Sequence, residues 1–150
     1  MTTWDDAMGE ALALAARASA AADVPVGAVV LDPAGAVIGT GYNRREATHD
    51  PTAHAEVLAL REAASALQGW RLDGCTLVVT LEPCLMCAGA ILQSRIPRLV
   101  IGAWDAKAGA TGSQWDVVRD ARIGSKVEVV SGVREAECAA LLTAFFEERR

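Results

Sequence analysis

The sequence predicts a three-layer α/β/α domain, in which helices cover both faces of a five-stranded mixed sheet. The first observation behind this prediction is the alternation of β-branched runs with helix-like segments along the chain. The second is composition, because 52% of the 150 residues are apolar, enough for a substantial core. The third is that no linker, internal repeat or low-complexity stretch interrupts the pattern. We therefore expect residues 1–150 to form a single domain.

The first part of the chain predicts one helix followed by a hairpin. Residues 3–6 (Thr-Trp-Asp-Asp) have the form of a helix start, and the pattern after them predicts a helix to about residue 22. Residues 26–31 and 37–42 are rich in β-branched side chains, which favours strands. Asp-Pro-Ala-Gly at 32–35 has the residue types of a tight turn, so we expect an antiparallel hairpin.

The rest of the chain continues this alternation. Pro51 and Pro83 are each expected to begin a helix, because the fixed backbone angle of proline suits the first helical position. A strand, a helix and a second strand in succession imply a right-handed parallel crossover, and the last two strands are expected to be parallel as well. The predicted order after the hairpin is a polar loop to residue 50, helix 51–67, strand 75–80, helix 83–94, strand 98–103, loop 104–112, helix 113–119, strand 126–130 and helix 134–148.

The charge balance argues against a generally basic surface for nucleic acid. The formal net charge is −5, so any contact with phosphates has to come from a local basic patch. The sequence shows neither a basic and apolar leader nor an apolar run long enough to span a bilayer. We therefore expect a cytoplasmic protein with no membrane partner.

The four cysteines indicate metal chemistry rather than disulfide bonds. A disulfide framework is not expected in a reducing compartment, and Cys75 and Cys138, each among apolar neighbours, are best interpreted as core residues. Cys84 and Cys87 form a C-x-x-C pair, which is typical of a metal site or a redox site.

His54 and Glu56 complete a candidate metal centre with this pair. On a regular helix their side chains point about 200° apart, so they reach one site only from an open first turn. Cys84 and Cys87 also fall in a first helical turn, where the helix dipole favours thiolates. His54, Cys84 and Cys87 are then three zinc ligands, and a fourth tetrahedral position remains for water.

Glu56 is expected to be the proton shuttle beside the metal. It takes a proton from the zinc-activated water, passes it to a ring nitrogen of the substrate and assists the leaving amine. Two alternatives remain open at this point. Either the zinc is structural and Glu56 is a helix cap, or Cys84 and Cys87 form a redox pair, which leaves His54 and Glu56 without a role.

Residues 53–56 (AHAE) and 83–87 (PCLMC) form the H-x-E and P-C-x-x-C signature of zinc nucleoside deaminases. Flanking segments narrow the resemblance to bacterial tRNA-specific adenosine deaminases: 24–29 (VPVGAV), 41–44 (GYNR), 49–56 (HDPTAHAE), 80–90 (TLEPCLMCAGA) and 109–113 (GATGS). The resemblance implies a cytidine-deaminase-like fold, one zinc ion per subunit and a homodimer. It also implies hydrolytic deamination of adenosine to inosine, with release of ammonia, at the wobble position of an arginine tRNA anticodon loop.

The same resemblance implies roles for residues around the base. Asn43 matches the asparagine that hydrogen-bonds the flipped base, Val26 matches an apolar pocket wall, and Ala55 is a further substrate-binding candidate. Asp105 and Lys107 match the loop that meets the neighbouring nucleotides. Asn43 is alternatively a turn residue, and Asp105 and Lys107 are alternatively part of a solvated loop.

An unpaired RNA loop is expected to meet aromatic and basic side chains around the pocket mouth. The candidates are Arg44, Arg45, His49, Lys107, Arg119, Arg122, Arg149 and Arg150, with Phe145 or Phe146 on the last helix. Each is alternatively an ordinary surface charge or a core ring. The interface of the implied homodimer is expected around Met86, Ile91 and Leu92, whose alternative is burial in the monomer core.

Three departures from the family pattern weaken the RNA interpretation. Gly124-Ser125 stands where these enzymes commonly carry Asn-His, and Trp104 stands before Asp105 where a well-known member has arginine. The sequence also has no long basic tail before its end at Arg150. The main alternative is therefore a deaminase of a free base or nucleoside, such as guanine or cytosine. A non-catalytic, zinc-stabilised binding module is a third possibility, from a different class.

Overall fold

The computed structural model describes residues 2–124 and 126–149, and it confirms the predicted three-layer α/β/α fold. Ser125 and Arg150, which entered the sequence-based expectations, lie outside these residues. No helix in the described ranges combines the length and apolarity that crossing a bilayer requires. The strands are β1 (Gly27–Leu31), β2 (Val37–Tyr42), β3 (Thr76–Leu81), β4 (Arg98–Ala103) and β5 (Glu128–Val130). The helices are α1 (Trp4–Ala20), α2 (Arg45–Thr48), α3 (Ala55–Leu67), α4 (Leu85–Ser94) and α5 (Glu135–Glu147).

The sheet has the strand order β2-β1-β3-β4-β5. β1 pairs antiparallel with β2 and with β3, whereas β3 pairs parallel with β4 and β4 with β5. The predicted hairpin and both predicted parallel pairs are therefore confirmed. Because β2 and β3 are both antiparallel to β1, they run in the same direction. The carboxyl ends of β2, β3 and β4 consequently meet at one edge of the sheet, the usual place for a ligand site in such folds.

The two faces of the sheet carry separate cores. Side chains alternate between the faces of a strand, and β1 is buried along its whole length. Ala28 and Val30 join a cluster that includes buried residues of α3 and α4. Val29 and Leu31 join the other cluster, with α1 and with Cys138 of α5. Helices thus cover both faces, as the sequence predicted.

A close approach between β2 and α3 fixes the start of that helix. A Cβ atom added to Gly41 would lie 2.4 Å from the carbonyl oxygen of Ala55. Only glycine allows the strand backbone to contact the first turn of α3 so closely. This contact holds the residues around Ala55 against the sheet edge.

Two helices begin later than their prolines predicted. α3 begins at Ala55 and not at Pro51, and α4 begins at Leu85 and not at Pro83. The carboxylate of Asp50 accepts hydrogen bonds from the backbone N–H (2.8 Å) and hydroxyl (2.7 Å) of Thr52, which holds residues 51–53 in a turn. The carbonyl oxygen of Pro83 accepts a hydrogen bond from the N–H of Ala110 in a loop (2.9 Å), and not from a following turn of helix.

The helix predicted over 113–119 is wrong. The N–H groups of Trp115 and Val117 donate to the carbonyl oxygens of Gly109 (3.1 Å) and Ala110 (2.9 Å), which lie six and seven residues back. An α-helix requires donation to the residue four back, so these bonds replace it. The segment forms turns and one isolated bridge, between Thr111 and Asp116. β5 is also shorter than the predicted strand 126–130.

The short helix α2 forms in a segment predicted as a loop. The buried carboxylate of Asp23 accepts hydrogen bonds from the backbone N–H groups of Glu46 (2.8 Å) and Ala47 (3.1 Å). These donors lie in the first turn, where an α-helix leaves N–H groups without internal partners. A carboxylate more than twenty residues away along the chain therefore stabilises this turn.

Candidate active site

Two helix starts meet at the edge of the sheet where β2, β3 and β4 end. His54 is the N-cap residue of α3 and Cys84 the N-cap residue of α4. Both have extended backbones, with φ values of −79° and −74°, and neither side chain caps its own helix. Both side chains are therefore available to a common ligand.

His54, Cys84 and Cys87 form a group whose donor atoms lie within 4.8 Å of one another. Nδ1 of His54 is 3.6 Å from Sγ of Cys84 and 3.5 Å from Sγ of Cys87. A tetrahedral zinc ion with ordinary Zn–N and Zn–S bonds keeps its nitrogen and sulfur ligands about 3.6 Å apart. One imidazole and two thiolates are also ligands that zinc prefers. The residues thus fit the predicted zinc ion.

The two thiols of this group shift each other's pKa in opposite directions. A hydrogen bond with Cys87 lowers the pKa of the Cys84 thiol to about 4, and the hydrogen bond with Cys84, followed by burial, raises the pKa of Cys87. The hydrogen bond with Cys84 also raises the pKa of His54. The helix-dipole argument expected thiolates at both cysteines, but neighbouring groups favour the thiolate only at Cys84. A divalent ion has to displace the proton of Cys87, so rising pH favours metal binding.

Glu56 lies beside this group and outside it. It is the second residue of α3, and it is only 4% exposed. Burial raises the pKa of this carboxyl to about 7. A carboxyl that titrates near neutral pH can both accept and donate a proton, so Glu56 is chemically suited to proton transfer.

His54 and Cys84 of this group, together with Glu56, line a cavity of about 170 Å³. Four residues assigned to the substrate from the sequence, Val26, Asn43, Ala55 and Asp105, line this cavity. Their contacts with a substrate stay predictions. The lining also contains residues that the sequence did not assign to the substrate pocket: Val24, Leu81, Glu82 and Ala108, together with Arg45 from the list of RNA candidates.

Asn43 is held in a fixed orientation at the cavity. Its Oδ1 accepts a hydrogen bond from the N–H of Arg45 (3.1 Å), and its Nδ2 donates to the carbonyl oxygen of Val24 (3.1 Å). These bonds are the turn role considered as the alternative. An asparagine amide has two N–H groups, so one donor remains for a ligand. The turn role and a base-binding role are thus compatible.

The other sequence candidates lie outside the cavity lining. Lys107 and Arg44 are exposed, and His49 is an exposed residue with left-handed backbone at the end of α2. Phe145 is buried and packs edge to face, at 5.3 Å, against Phe146, which is 49% exposed.

Most of the basic candidates near the end of the chain are engaged with neighbouring residues. The guanidinium carbon of Arg149 lies 3.5 Å from the ring centroid of Phe145. Arg119 and Arg122 form ion pairs with Asp116 (2.7 Å) and Asp120 (2.6 Å). None of these residues lines the cavity.

Glu82 has an organising role that was not predicted from the sequence. The residue is 2% exposed, and its carboxylate accepts backbone hydrogen bonds from Asp105 (2.9 Å), Thr111 (3.0 Å) and Ser113 (3.1 Å), and one from the Ser113 hydroxyl. One side chain therefore holds residues 104–113, which we call the 104–113 loop and which bring Asp105 to the cavity. A signal was present, because an acidic residue directly after a buried strand needs hydrogen-bond partners.

Known proteins share this fold and site. The model of the cytidine and deoxycytidylate deaminase zinc-binding region matches residues 1–103. A tRNA-specific adenosine deaminase of Haemophilus influenzae is 52% identical over 143 residues, which are 95% of this chain and 83% of that protein.

Two solved structures are also similar. One comes from a study of A-to-I editing by tRNA:A34 deaminases at the wobble position of transfer RNA, with a TM-score of 0.87, 43% identity, and coverage of 91% of this chain and 98% of that chain. The other is a guanine deaminase from Nitrosomonas europaea, with a TM-score of 0.81, 30% identity, and coverage of 97% and 85%.

The family match covers more than half of the chain and includes His54, Glu56, Cys84 and Cys87. The similarity to the adenosine deaminase extends well beyond that region. This chain therefore belongs to the zinc-binding cytidine and deoxycytidylate deaminase family and, within it, to the group of the tRNA-specific adenosine deaminases.

Proposed function

We propose that this protein hydrolytically deaminates adenosine to inosine at the wobble position of a tRNA anticodon loop. The observation that carries the proposal is a single cavity lined by two members of the zinc-ligand group, His54 and Cys84, and by Glu56, a buried carboxyl whose pKa is raised to about 7. This combination suits the hydrolytic removal of an amino group from a base. The similarity over 95% of the chain to a tRNA-specific adenosine deaminase supports adenosine in tRNA as the substrate.

Proton transfer in this reaction falls to Glu56. Zinc held by His54, Cys84 and Cys87 would lower the pKa of a water molecule and so supply a nucleophile at neutral pH. Glu56 in its carboxylate form accepts a proton from this water as the oxygen attacks C6 of adenine, and it delivers the proton to a ring nitrogen. It then transfers the second proton of the water to the leaving amino group. Adenosine and water thereby become inosine and ammonia.

Residues of the cavity wall hold the base. The remaining N–H donor of Asn43 is available to a ring nitrogen, and its two local hydrogen bonds fix its direction. Val26 and Leu81 supply apolar surface, which excludes water from the flipped base. Asp105 and Lys107 belong to the 104–113 loop, where the nucleotides on either side of the reactive base would lie.

We propose an arginine tRNA as the substrate and the cytoplasm as the site of action, on the strength of the sequence resemblance. An anticodon stem-loop of an arginine tRNA with adenosine at the wobble position is the direct test. Inosine at that position and free ammonia are expected, whereas the same stem-loop with guanosine there should not react. Conversion of free bases or nucleosides, but not of the stem-loop, would contradict the proposal.

A free-base deaminase is the second candidate function. The observation that favours it is the similarity, at a TM-score of 0.81, to the guanine deaminase of Nitrosomonas europaea. Guanine, cytosine, adenine and their nucleosides belong in the same assay. Release of ammonia from guanine, with none from the stem-loop, would select this function instead.

A homodimer is proposed as the active assembly. Of the three residues predicted at its interface, Ile91 and Leu92 are 0% and 8% exposed and lie in the core, so their part in that prediction is wrong. Met86 is 37% exposed, beside Leu85 at 58%. These residues supply an apolar face at the start of α4 for a second copy. Light scattering should give twice the chain mass, and Leu85→Glu with Met86→Glu should halve it.

A further inference from the structure

The arginines of this acidic protein differ in whether they form an ion pair with a carboxylate. Within residues 2–124 and 126–149, six form an ion pair at 4.0 Å or less: Arg71, Arg98, Arg119, Arg122, Arg134 and Arg149. Those without such a pair in the same ranges are Arg17, Arg44, Arg45, Arg61 and Arg95. All of these except Arg95 line either the cavity or a neighbouring cleft.

This cleft lies at the edge strand β2 and has a volume of about 440 Å³. Arg17 of α1, Arg44 after β2 and Arg61 of α3 line it. We call it the β2 cleft. Among the described residues that line it, Glu62 is the one acidic residue, so positive charge predominates.

Tyr42 orders two of the three guanidinium groups. The guanidinium carbon of Arg17 is 4.7 Å from the ring centroid of Tyr42, and that of Arg44 is 5.6 Å from it. Contacts of this kind are attractive and limit the rotamers of long side chains. The two arginines are therefore partly preorganised for an anionic ligand, although no carboxylate holds them.

Arg44 connects the β2 cleft with the catalytic cavity. Its neighbours Asn43 and Arg45 both line the cavity, and adjacent Cα atoms lie about 3.8 Å apart. The backbone between the two sites is fixed, because the N–H of Arg44 donates to the carbonyl oxygen of Ala53 (3.0 Å). A polymer with one unit in the cavity thus has the β2 cleft directly beside it.

We propose that the β2 cleft binds backbone phosphates of the RNA whose base enters the cavity. This inference rests on the proposed function. Guanidinium groups suit phosphate oxygens because their planar N–H donors match them in pairs. Since the net charge of −5 repels RNA, attraction has to come from a local patch such as this one. An acidic protein segment would be drawn by the same charge, but the adjoining base-sized cavity favours RNA.

Salt-dependent binding of the anticodon stem-loop tests the inference. The test variant is Arg17→Gln with Arg44→Gln and Arg61→Gln. The matched control, Arg71→Gln with Arg98→Gln and Arg134→Gln, removes the same charge from ion-paired positions. The plot of log K against log salt has a negative slope, and each lost phosphate contact reduces the magnitude of this slope by about 0.7 to 0.9. The test variant should therefore lose about two units of slope and bind the RNA on the order of 10- to 100-fold more weakly near 0.1 M salt.

Two further variants probe the tyrosine. Tyr42→Phe keeps the ring face and should bind RNA like the wild type, whereas Tyr42→Leu should weaken binding. Zinc content and melting temperature, measured for every variant, confirm that each one is folded.

Two results would overturn the inference in distinguishable ways. If the wild type deaminates the stem-loop and the test and control variants show equal salt slopes, the β2 cleft is not an RNA site and the proposed function stands. If the wild type neither binds nor deaminates the stem-loop, the inference and the proposed function both fail. If the test variant keeps the salt slope of the wild type for RNA but differs from it in molar mass in solution, the cleft is a protein contact.

Discussion

The zinc-ligand set and the 104–113 loop both belong to the catalytic cavity, but the fold holds them in different ways. The zinc ligands occupy two helix starts, and two of the three lie only three residues apart. The 104–113 loop is held by one carboxylate, that of Glu82, which lies more than twenty residues away along the chain. The local backbone of a helix start therefore orients each zinc ligand, although the sheet has to bring the two starts together, whereas a side chain from another segment holds the loop next to the substrate.

Loss of a zinc ligand should produce the largest effect. Cys84→Ala should reduce zinc from one ion per chain to none and abolish deamination, because two ligands bind zinc far more weakly than three. Cys75→Ala is the matched control, since this cysteine is buried in the core and lies outside the metal group. Zinc analysis and activity on the stem-loop are the measurements. Full zinc content in Cys84→Ala would exclude Cys84 as a ligand.

Loss of the proton shuttle should have the next largest effect. Glu56→Gln is expected to lower turnover by about 10²- to 10⁴-fold, because the amide cannot transfer the proton, while zinc stays bound. Glu10→Gln, an exposed change on α1, should leave turnover unaltered. Zinc loss from Glu56→Gln would instead identify this carboxylate as a ligand.

The burial of Glu56 should also be visible in stability. Its pKa rises from 4.5 to about 7 on folding, so between these pH values folded zinc-free protein holds a proton that unfolded protein has released. Stability from this group is therefore lost as pH rises through that window. Relative to wild type, zinc-free Glu56→Gln should gain about 3 kcal/mol in unfolding free energy between pH 4.5 and 7. Urea titrations across this range should show that the difference in unfolding free energy between the two proteins grows with pH. A difference that stays constant with pH would mean that the pKa of Glu56 is not raised.

Loss of the contact between Glu82 and the 104–113 loop should produce the smallest of these effects. Glu82→Gln places an amide group against N–H donors and should cost about 2 kcal/mol of stability, with faster hydrogen exchange in the loop and a higher KM. Ser113→Ala removes one donor and should cost only about 1 kcal/mol. Zinc content should be normal in both variants. An unchanged KM in Glu82→Gln would show that the loop does not contribute to substrate binding.

Regular elements were predictable where the relevant interaction is local. Apolar periodicity and turn residues correctly indicated α1, the β1–β2 hairpin and the parallel pairs of β3, β4 and β5. The failed predictions share a cause, which is a hydrogen bond between the segment and a residue outside it. The expected helix over 113–119 is absent because its N–H groups donate to residues 109 and 110, and α2 forms because Asp23 caps it from afar.

The sequence by itself predicted the chemistry of the site, since the residue types and spacing of an H-x-E motif and a P-C-x-x-C motif are those of zinc ligands with a proton carrier beside them. Only the tertiary structure decided which side chains surround that centre. Glu82 and Asp23 act on segments far away in the chain, and Arg17, Arg44 and Arg61 meet in one cleft although they come from three different segments. The physical reason is that each ligand motif consists of residues that are close together in the chain. A buried carboxylate with its partners, or a basic cleft, forms only after the sheet has brought distant segments together.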